Sequence, residues 1–289
     1  MAGLSTRQIE DYRRDGVVVC ENAVSPDLLA RLRADFDAWA AESAAHEEPY
    51  GTTYDARPRF DLQPATDGRP AALRRVQSPT EISEAYFEAM ADSTMTDMVA
   101  GLIGPNVKFH HSKINSKQPG SATQVKWHQD FPFTPHSNCD LVTALLMIDD
   151  VTEENGPLAV APGSHLGPLH SLWHDGTFTG AVDDTTENAF KAKARLCTGR
   201  AGTVCFMHTR LAHGSEPNLS MSPRTLFICV YSAGDAMPCS PNPLPSKHMG
   251  LFVRGSDPRR VRAEAYDIAV PEFPKTSFFA QQSGEERRQ

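Results

Sequence analysis

The sequence predicts an α+β chain that is mainly β, with helices first and a strand-rich body after them. Two patterns carry this. Apolar residues recur at helical spacing up to about residue 103, and at a spacing near two after Asn106. About six to eight short apolar runs then follow one another between Gly and Pro turns, the pattern of a sandwich or jelly roll. The 289 residues, 40% hydrophobic and 22% charged, are ordinary for a globular chain. One α+β domain, with the N-terminal helices packed on one face of the strands, is the simplest arrangement.

The elements follow in order. Ser5 and Gln8 form a capping box that opens a helix ending near Gly16. Val17–Cys20 is a short β-branched strand. Ser25-Pro26 starts a second helix, which buries Leu28, Leu29, Leu32, Phe36 and Trp39 along one face. From Glu47 to Pro79 the periodicity fails, and the stretch reads as a long irregular segment. Thr80–Ile103 reads as helix interrupted near Asp92-Ser93 and stopped by Gly104-Pro105. Strands are expected at Val107–Ser116, Gln124–Asp130, Leu141–Asp149, Pro157–Pro162, Thr203–His208 and Arg224–Ser232. The expected organisation is one domain over 1–289. It comprises a helical cover and irregular lid (1–105), a core (106–235) with an insertion at 163–196, and a C-terminal lid or tail (236–289). Segments 47–79, 163–196 and 234–280 are expected to frame the substrate.

A formal charge of −8 argues against nucleic acid, which needs a basic patch. None of the six cysteines forms a C-x-x-C pair, so they read as reduced thiols in a cytoplasmic protein. No apolar run approaches a membrane span, the N-terminus has no signal core, and the C-terminus is not a peroxisomal address. The expected partner is a small molecule, with no nucleic acid and no membrane, and the chain a monomer or homodimer.

The chemistry concentrates in V-K-W-H-Q-D-F-P-F, residues 125–133. On a strand, His128 and Asp130 would share a face, roughly 7 Å apart. A further histidine would complete the two-histidine, one-carboxylate set that suits a non-heme Fe(II) with open positions. His213, in L-A-H-G-S, is the candidate, with His208 and His165 as rivals. By itself the H-x-D pair is weak, because 11 histidines and 36 acidic residues produce about one such pair by chance.

Four stretches give context: L-S-T-R-Q-I-E-D-Y-R-R-D-G-V-V-V at the start, W-H-Q-D-F, N-G-P-L-A-V-A-P-G-S-H (Asn155–His165), and H-G-S with Arg224 eleven residues after His213. Together the sequence resembles the phytanoyl-CoA dioxygenase-like family of Fe(II)/2-oxoglutarate oxygenases, from Leu4 to about Ala236. The resemblance implies a cupin-like double-stranded β-helix and an enzyme using Fe(II), 2-oxoglutarate and O2. It makes His128, Asp130 and His213 the catalytic iron ligands. It gives Arg224, Ser215 and Asn115 to 2-oxoglutarate. Arginine suits the distal carboxylate because its planar fork meets two oxygens at once.

If Asn115 faces inward, alternation sends Phe109, His111 and Lys113 inward too, as candidates for the substrate wall. Phe131 and Phe133 are further candidates, and Trp127 alternates away into the core. The carboxylate at 130 favours hydroxylation over halogenation. The expected reaction hydroxylates an unactivated C–H of a polar metabolite or natural-product intermediate, releasing succinate and CO2. Acyl-CoA hydroxylation, desaturation and ring formation stay open, and so does a non-catalytic β-helix binding module. The sequence shows no obvious basic cluster dedicated to a CoA pyrophosphate; Arg74 with Arg75, or Arg254 with Arg259 and Arg260, are the groups that could form one.

Overall fold

The computed structural model describes residues 3–65, 71–273 and 278–283. Helix α1 (Thr6–Asp15) opens on the expected capping box: Ser5 Oγ accepts from the Gln8 amide, and the Gln8 side chain accepts from the Ser5 amide. It closes at Gly16, whose φ of +78° turns the chain into β1 (Val17–Cys20). A Cβ at Gly16 would lie 2.5 Å from His165 Nδ1, so this turn takes only glycine. Helix α2 (Pro26–Ser43) is capped by Ser25 and buries Leu28, Leu32 and Phe36.

The stretch 47–79 departs from the expectation of irregular chain, because it contains a hairpin, β2 (Phe60–Gln63) and β3 (Ala72–Gln77). Its cavity-lining positions carry the charged Asp61, Arg74 and Arg75, so a hydrophobicity pattern does not register it. Residues 66–70 of the expected lid, and 274–277 and 284–289 of the expected C-terminal lid or tail, lie outside the described residues. Helices α3 (Glu84–Ala91) and α4 (Thr94–Ile103) break where the sequence places the interruption.

Next come β4 (Val107–Lys117), β5 (Val125–His128), β6 (Leu141–Met147) and β7 (Leu158–Val160). After them are β8 (Trp173–His174), β9 (Thr177–Phe178), α5 (Asp184–Lys191) and β10 (Arg195–Cys197). The series ends with β11 (Val204–His208), β12 (His213–Ser215), β13 (Arg224–Ala233), β14 (Phe252–Arg254) and α6 (Phe278–Ser283). The large antiparallel sheet runs β1-β11-β6-β13-β4-β3-β2, with β14 also on β4; the small one runs β10-β7-β12-β5.

One face of the large sheet packs on the N-terminal helices through Leu32, Tyr86, Met90, Phe109 and Phe227. Leu145, Met207, Leu226 and Ile228 cluster instead with Leu158 and Val160 of the small sheet. Two sheets closed on each other, with helices behind one of them, make the expected jelly roll. Each fully buried side chain of this size contributes about 1.5–3 kcal/mol.

A slip in the β4–β13 ladder decides what reaches the interior. Val230 pairs with His111 and Tyr231 with Phe109, so His110 is an extra residue. Beyond the slip, His111, Lys113, Asn115 and Lys117 share one face. Before it, Phe109 turns to the helical core against Tyr231, with ring centroids 6.1 Å apart. Strict alternation puts Phe109 on the substrate wall, and the bulge corrects that.

The insertion 163–196 also departs from its expected role. It packs around Trp127, with Phe178, Val182 and Phe190 in the same cluster. Trp127 points away from His128, as the alternation along β5 requires.

Candidate metal centre and adjoining cavities

β5 and β12 are antiparallel neighbours, and His128 pairs directly with His213 across them. Their rings lie 4.2 Å apart, centroid to centroid. β5 ends at His128, two residues short of the expected strand. Asp130 has right-handed helical backbone (φ −71°, ψ −32°) and leads into a single 3-10 turn, Phe131–Phe133. The turn still carries the carboxylate to the histidines. Asp130 Oδ1 is 3.5 Å from His128 Nε2 and 3.6 Å from His213 Nε2. Among the described residues, these three make up the His/Cys/Asp/Glu group able to hold a metal, with ligand atoms within 4.8 Å of one another.

The hydrogen bonds around the trio fix which atoms face inward. His128 Nδ1 donates to the Lys126 carbonyl (2.7 Å) and His213 Nδ1 to the Leu211 carbonyl (2.9 Å). A carbonyl only accepts, so each Nδ1 carries the proton and each Nε2 lone pair points into the site. Thr143 Oγ1 donates to Asp130 Oδ2 at 2.8 Å, leaving Oδ1 toward the imidazoles. Burial, and then His128, push His213 down to about 4, so it is neutral at pH 7. Burial opposes ionisation of Asp130, yet His213 and His128 outweigh it and hold the carboxylate well below its ordinary range. Two neutral imidazole nitrogens and one carboxylate oxygen fit a divalent non-heme iron, with outer partners of the kind such ligands use.

His208 and His165 stand elsewhere. They pack on each other at 5.3 Å, and Tyr12 lies 6.4 Å from His208. The P-G-S-H turn is a brace: His165 Nε2 donates to the Arg13 carbonyl (3.2 Å), and Ser164 Oγ accepts from the Ala212 amide next to His213.

A cleft leads from the trio to a buried cationic seat lined by Lys117, Ser215 and Arg224. Arg224 sends Nε and Nη2 to the Gly156 carbonyl (3.0 and 2.8 Å). Gly156 turns at φ +76°, where a Cβ would sit 2.6 Å from the Glu216 carbonyl. Lys117 Nζ donates to Ser215 Oγ at 2.7 Å and to the Glu216 carbonyl. Burial lowers Arg224 to about 10, still charged at neutral pH. Burial, and then the Arg224 charge, push Lys117 down to about 6. Neither cation has an ion-pair partner among the described residues. A buried pair of this kind wants an anion.

Asn115 lies between seat and trio, and its Oδ1 accepts from Arg75 Nε at 2.9 Å. Sequence reasoning passed over Thr143, Lys117 and Arg75 for these positions. Thr143 is the one polar residue in L-V-T-A-L-L-M, and Lys117 is two residues beyond Asn115 on the same face, so both carried a signal.

On the other side of the trio opens a cavity of ≈ 610 Å³. His111 and Lys113 are on its wall, with Phe133, whose ring meets His128 edge-on at 5.7 Å. Phe131 instead is fully buried against Tyr266 and belongs to the core. Residues from 47–65, 74–77 and 243–278 line this cavity. Arg74 is paired with Asp61, and Arg254 with Asp97 and nearby carbonyls, so neither is free for a pyrophosphate.

The phytanoyl-CoA dioxygenase (PhyH) family model matches residues 12–226. The chain is 37% identical over 170 residues to a Stutzerimonas stutzeri protein described as a probable alpha-ketoglutarate-dependent hypophosphite dioxygenase. That match covers 57% of this chain and 59% of the other, less than two thirds of its length. It is 28% identical over 285 residues to the peroxisomal phytanoyl-CoA dioxygenase of Rattus norvegicus, covering 93% and 77%. Among solved structures, EctD from S. alaskensis with 2-oxoglutarate and 5-hydroxyectoine superposes with a TM-score of 0.64 at 25% identity, covering 94% of this chain and 88% of that one.

Proposed function

The chain belongs to the phytanoyl-CoA dioxygenase family of Fe(II)- and 2-oxoglutarate-dependent dioxygenases, and on that premise we propose that it hydroxylates an unactivated C–H of a small-molecule substrate. One observation carries the assignment. The convergent atoms His128 Nε2, Asp130 Oδ1 and His213 Nε2 lie between an anion seat without an anion-bearing side chain and a cavity large enough for an organic substrate. In this reading His128, Asp130 and His213 hold the iron. Arg224, Lys117 and Ser215 take the distal carboxylate of 2-oxoglutarate, and Asn115 borders its near end.

Iron and 2-oxoglutarate together supply the oxidising power, consuming O2 and releasing succinate and CO2. The protein's part is positional. The Lys126 and Leu211 carbonyls hold the imidazoles in one tautomer, and Thr143 fixes the carboxylate. Phe133 and Phe278 lie against His128 and limit water there, at ring separations of 5.7 and 5.8 Å.

Two of the five arginines named for a CoA pyrophosphate, Arg74 and Arg254, are already committed to Asp61 and Asp97, which favours a small-molecule substrate over an acyl-CoA. The test is Fe(II)-dependent conversion of 2-oxoglutarate to succinate, with mass spectrometry of a metabolite panel for products heavier by one oxygen atom. Succinate formation without iron, or none with it, would refute the reading.

A further inference from the structure

We propose that the substrate is an organic anion, its oxyanion head held by Lys113 and Arg75 and its apolar body in the large cavity. This deepens the oxygenase reading, and rests on it for which cavity receives substrate. Both cations line the wall shared by the cavity and the cleft, next to His128 and Asp130. Arg75 is 6% exposed. Its Nε is bonded to Asn115, but its buried Nη2 has no hydrogen-bond partner among the described residues. Phe278 and Phe279 lie 5.2 and 4.7 Å from its Cζ and hold the guanidinium plane in place. Lys113 makes no hydrogen bond or ion pair among the described residues.

The carboxylates nearby are engaged or remote. Asp61 is paired with Arg74, Asp130 faces the two histidines, and Glu47 and Glu48 lie exposed at the cavity mouth. Enclosed cations without counter-charges are costly unless a ligand provides them. The cosubstrate does not use them up in this reading, because its far end has its own pair, Lys117 and Arg224. Beyond the cations the wall carries an apolar set, Leu62, Pro58, Val230, Leu244 and Phe273, beside the polar Gln77, His111 and Thr134. A charged head with a carbon body fits that sequence of surfaces, whereas a bare small oxoanion would leave most of the ≈ 610 Å³ unfilled.

The test is calorimetric binding to the Mn(II)- and 2-oxoglutarate-loaded protein, which reads affinity without turnover. Hexanoate, hexylphosphonate and hexanesulfonate serve as anionic probes, hexanol and hexylammonium as neutral and cationic isosteres, and hypophosphite as the bare oxoanion. The anions are expected to bind at least about tenfold tighter than hexanol, and Lys113→Met and Arg75→Met each to remove about tenfold of that preference. Lys113→Met should leave 2-oxoglutarate affinity within about twofold, since its amine makes no hydrogen bond or ion pair among the described residues. The ranking of carboxylate, phosphonate and sulfonate then identifies the head. Equal binding of hexanoate and hexanol overturns the proposal. So does tighter binding of hexylammonium or hypophosphite, or a Lys113→Met variant that loses 2-oxoglutarate and keeps the anion preference. Anion-selective binding in a protein that makes no iron-dependent succinate would sustain this seat while removing the oxygenase reading.

Discussion

Thr143 and Asp130 are joined by one hydrogen bond, Oγ1 to Oδ2 at 2.8 Å, that links the large sheet to the metal trio. Thr143 is on β6, deep in the large sheet, and Asp130 lies two residues beyond the end of β5 in the small one. The bond therefore sets the carboxylate's rotation from outside its own strand. Replacing threonine by valine keeps the shape and deletes the donor. Thr143→Val is expected to weaken divalent-metal binding by about 10–100-fold, the usual cost of losing an outer partner of a metal ligand. Titration with Mn(II) or Co(II) measures this, and an unchanged affinity would show that Asp130 is oriented by something else.

His213→Ala is expected to abolish succinate formation while leaving the far-UV circular dichroism of the native fold. His208→Gln, by contrast, should keep turnover within a few-fold, because His208 packs with Tyr12 and His165 away from the trio. The reverse pattern would transfer the ligand role to residue 208.

Arg224→Met removes the charged fork of the anion seat. The KM for 2-oxoglutarate should rise by about 10–100-fold, the scale of a buried charge-assisted hydrogen bond. Steady-state kinetics at saturating substrate reads it, and an unaltered KM would place the cosubstrate elsewhere.

Lys117 gives the seat a pH signature. In the free protein its amine is held at about 6, so above pH 6 it is mostly neutral. An arriving carboxylate favours the charged form and raises that value. Binding above pH 6 then takes up a proton. Affinity for 2-oxoglutarate should be greatest below about pH 6 and fall as pH rises, by up to about tenfold per unit, until the raised value is passed. Of the charges facing the amine, Arg224, at about 10, does not change over this range, and Glu216 is the other. Calorimetry in buffers of different ionisation enthalpy measures the uptake at pH 7.5, and Lys117→Met should eliminate it. No uptake by the native protein would count against the assignment.

Gly16→Ala tests the brace between α1 and the P-G-S-H turn. The backbone there is left-handed, and a methyl group would press on His165 and Leu211 at 2.5–2.9 Å. A loss of about 2–3 kcal/mol is expected, visible as a melting temperature lower by several degrees. A wild-type melting curve would mean that the contact relaxes freely.

Much of this was legible in the sequence because local rules were obeyed. The capping box at Ser5, the break at Asp92-Ser93 and the shift of period after Asn106 all correspond to elements. The stretches around His128, His213 and Arg224 converge on one site. The hairpin Phe60–Gln77 was not legible, since it carries charged side chains that face one another or a cavity. The strand carrying His128 stops earlier than alternation suggests, because the 3-10 turn at Phe131–Phe133 takes over. That turn also separates two phenylalanines that the sequence treats alike, sending Phe131 to the core and Phe133 to the wall. Lys113 reads in the sequence only as an inward polar residue; that it lacks a partner among the described residues emerges when β3 and β13 are laid beside it.

The extra residue at His110 makes β4 a strand whose numbering changes meaning halfway along. Val107 and Phe109 feed the oily layer beneath the helices, and after the offset that duty passes to Ile114, leaving the odd positions to chemistry. Deleting His110 would remove the offset yet leave Phe109 opposite Tyr231 and His111 opposite Val230, so both halves of the strand would keep their register. Val107 and Phe109 would stay in the oily layer, and Lys113 and Asn115 would stay on the opposite face. A single-residue deletion there should therefore spare the division of faces and cost chiefly the bonds that His110 makes, to the His111 ring and from the Asn242 amide.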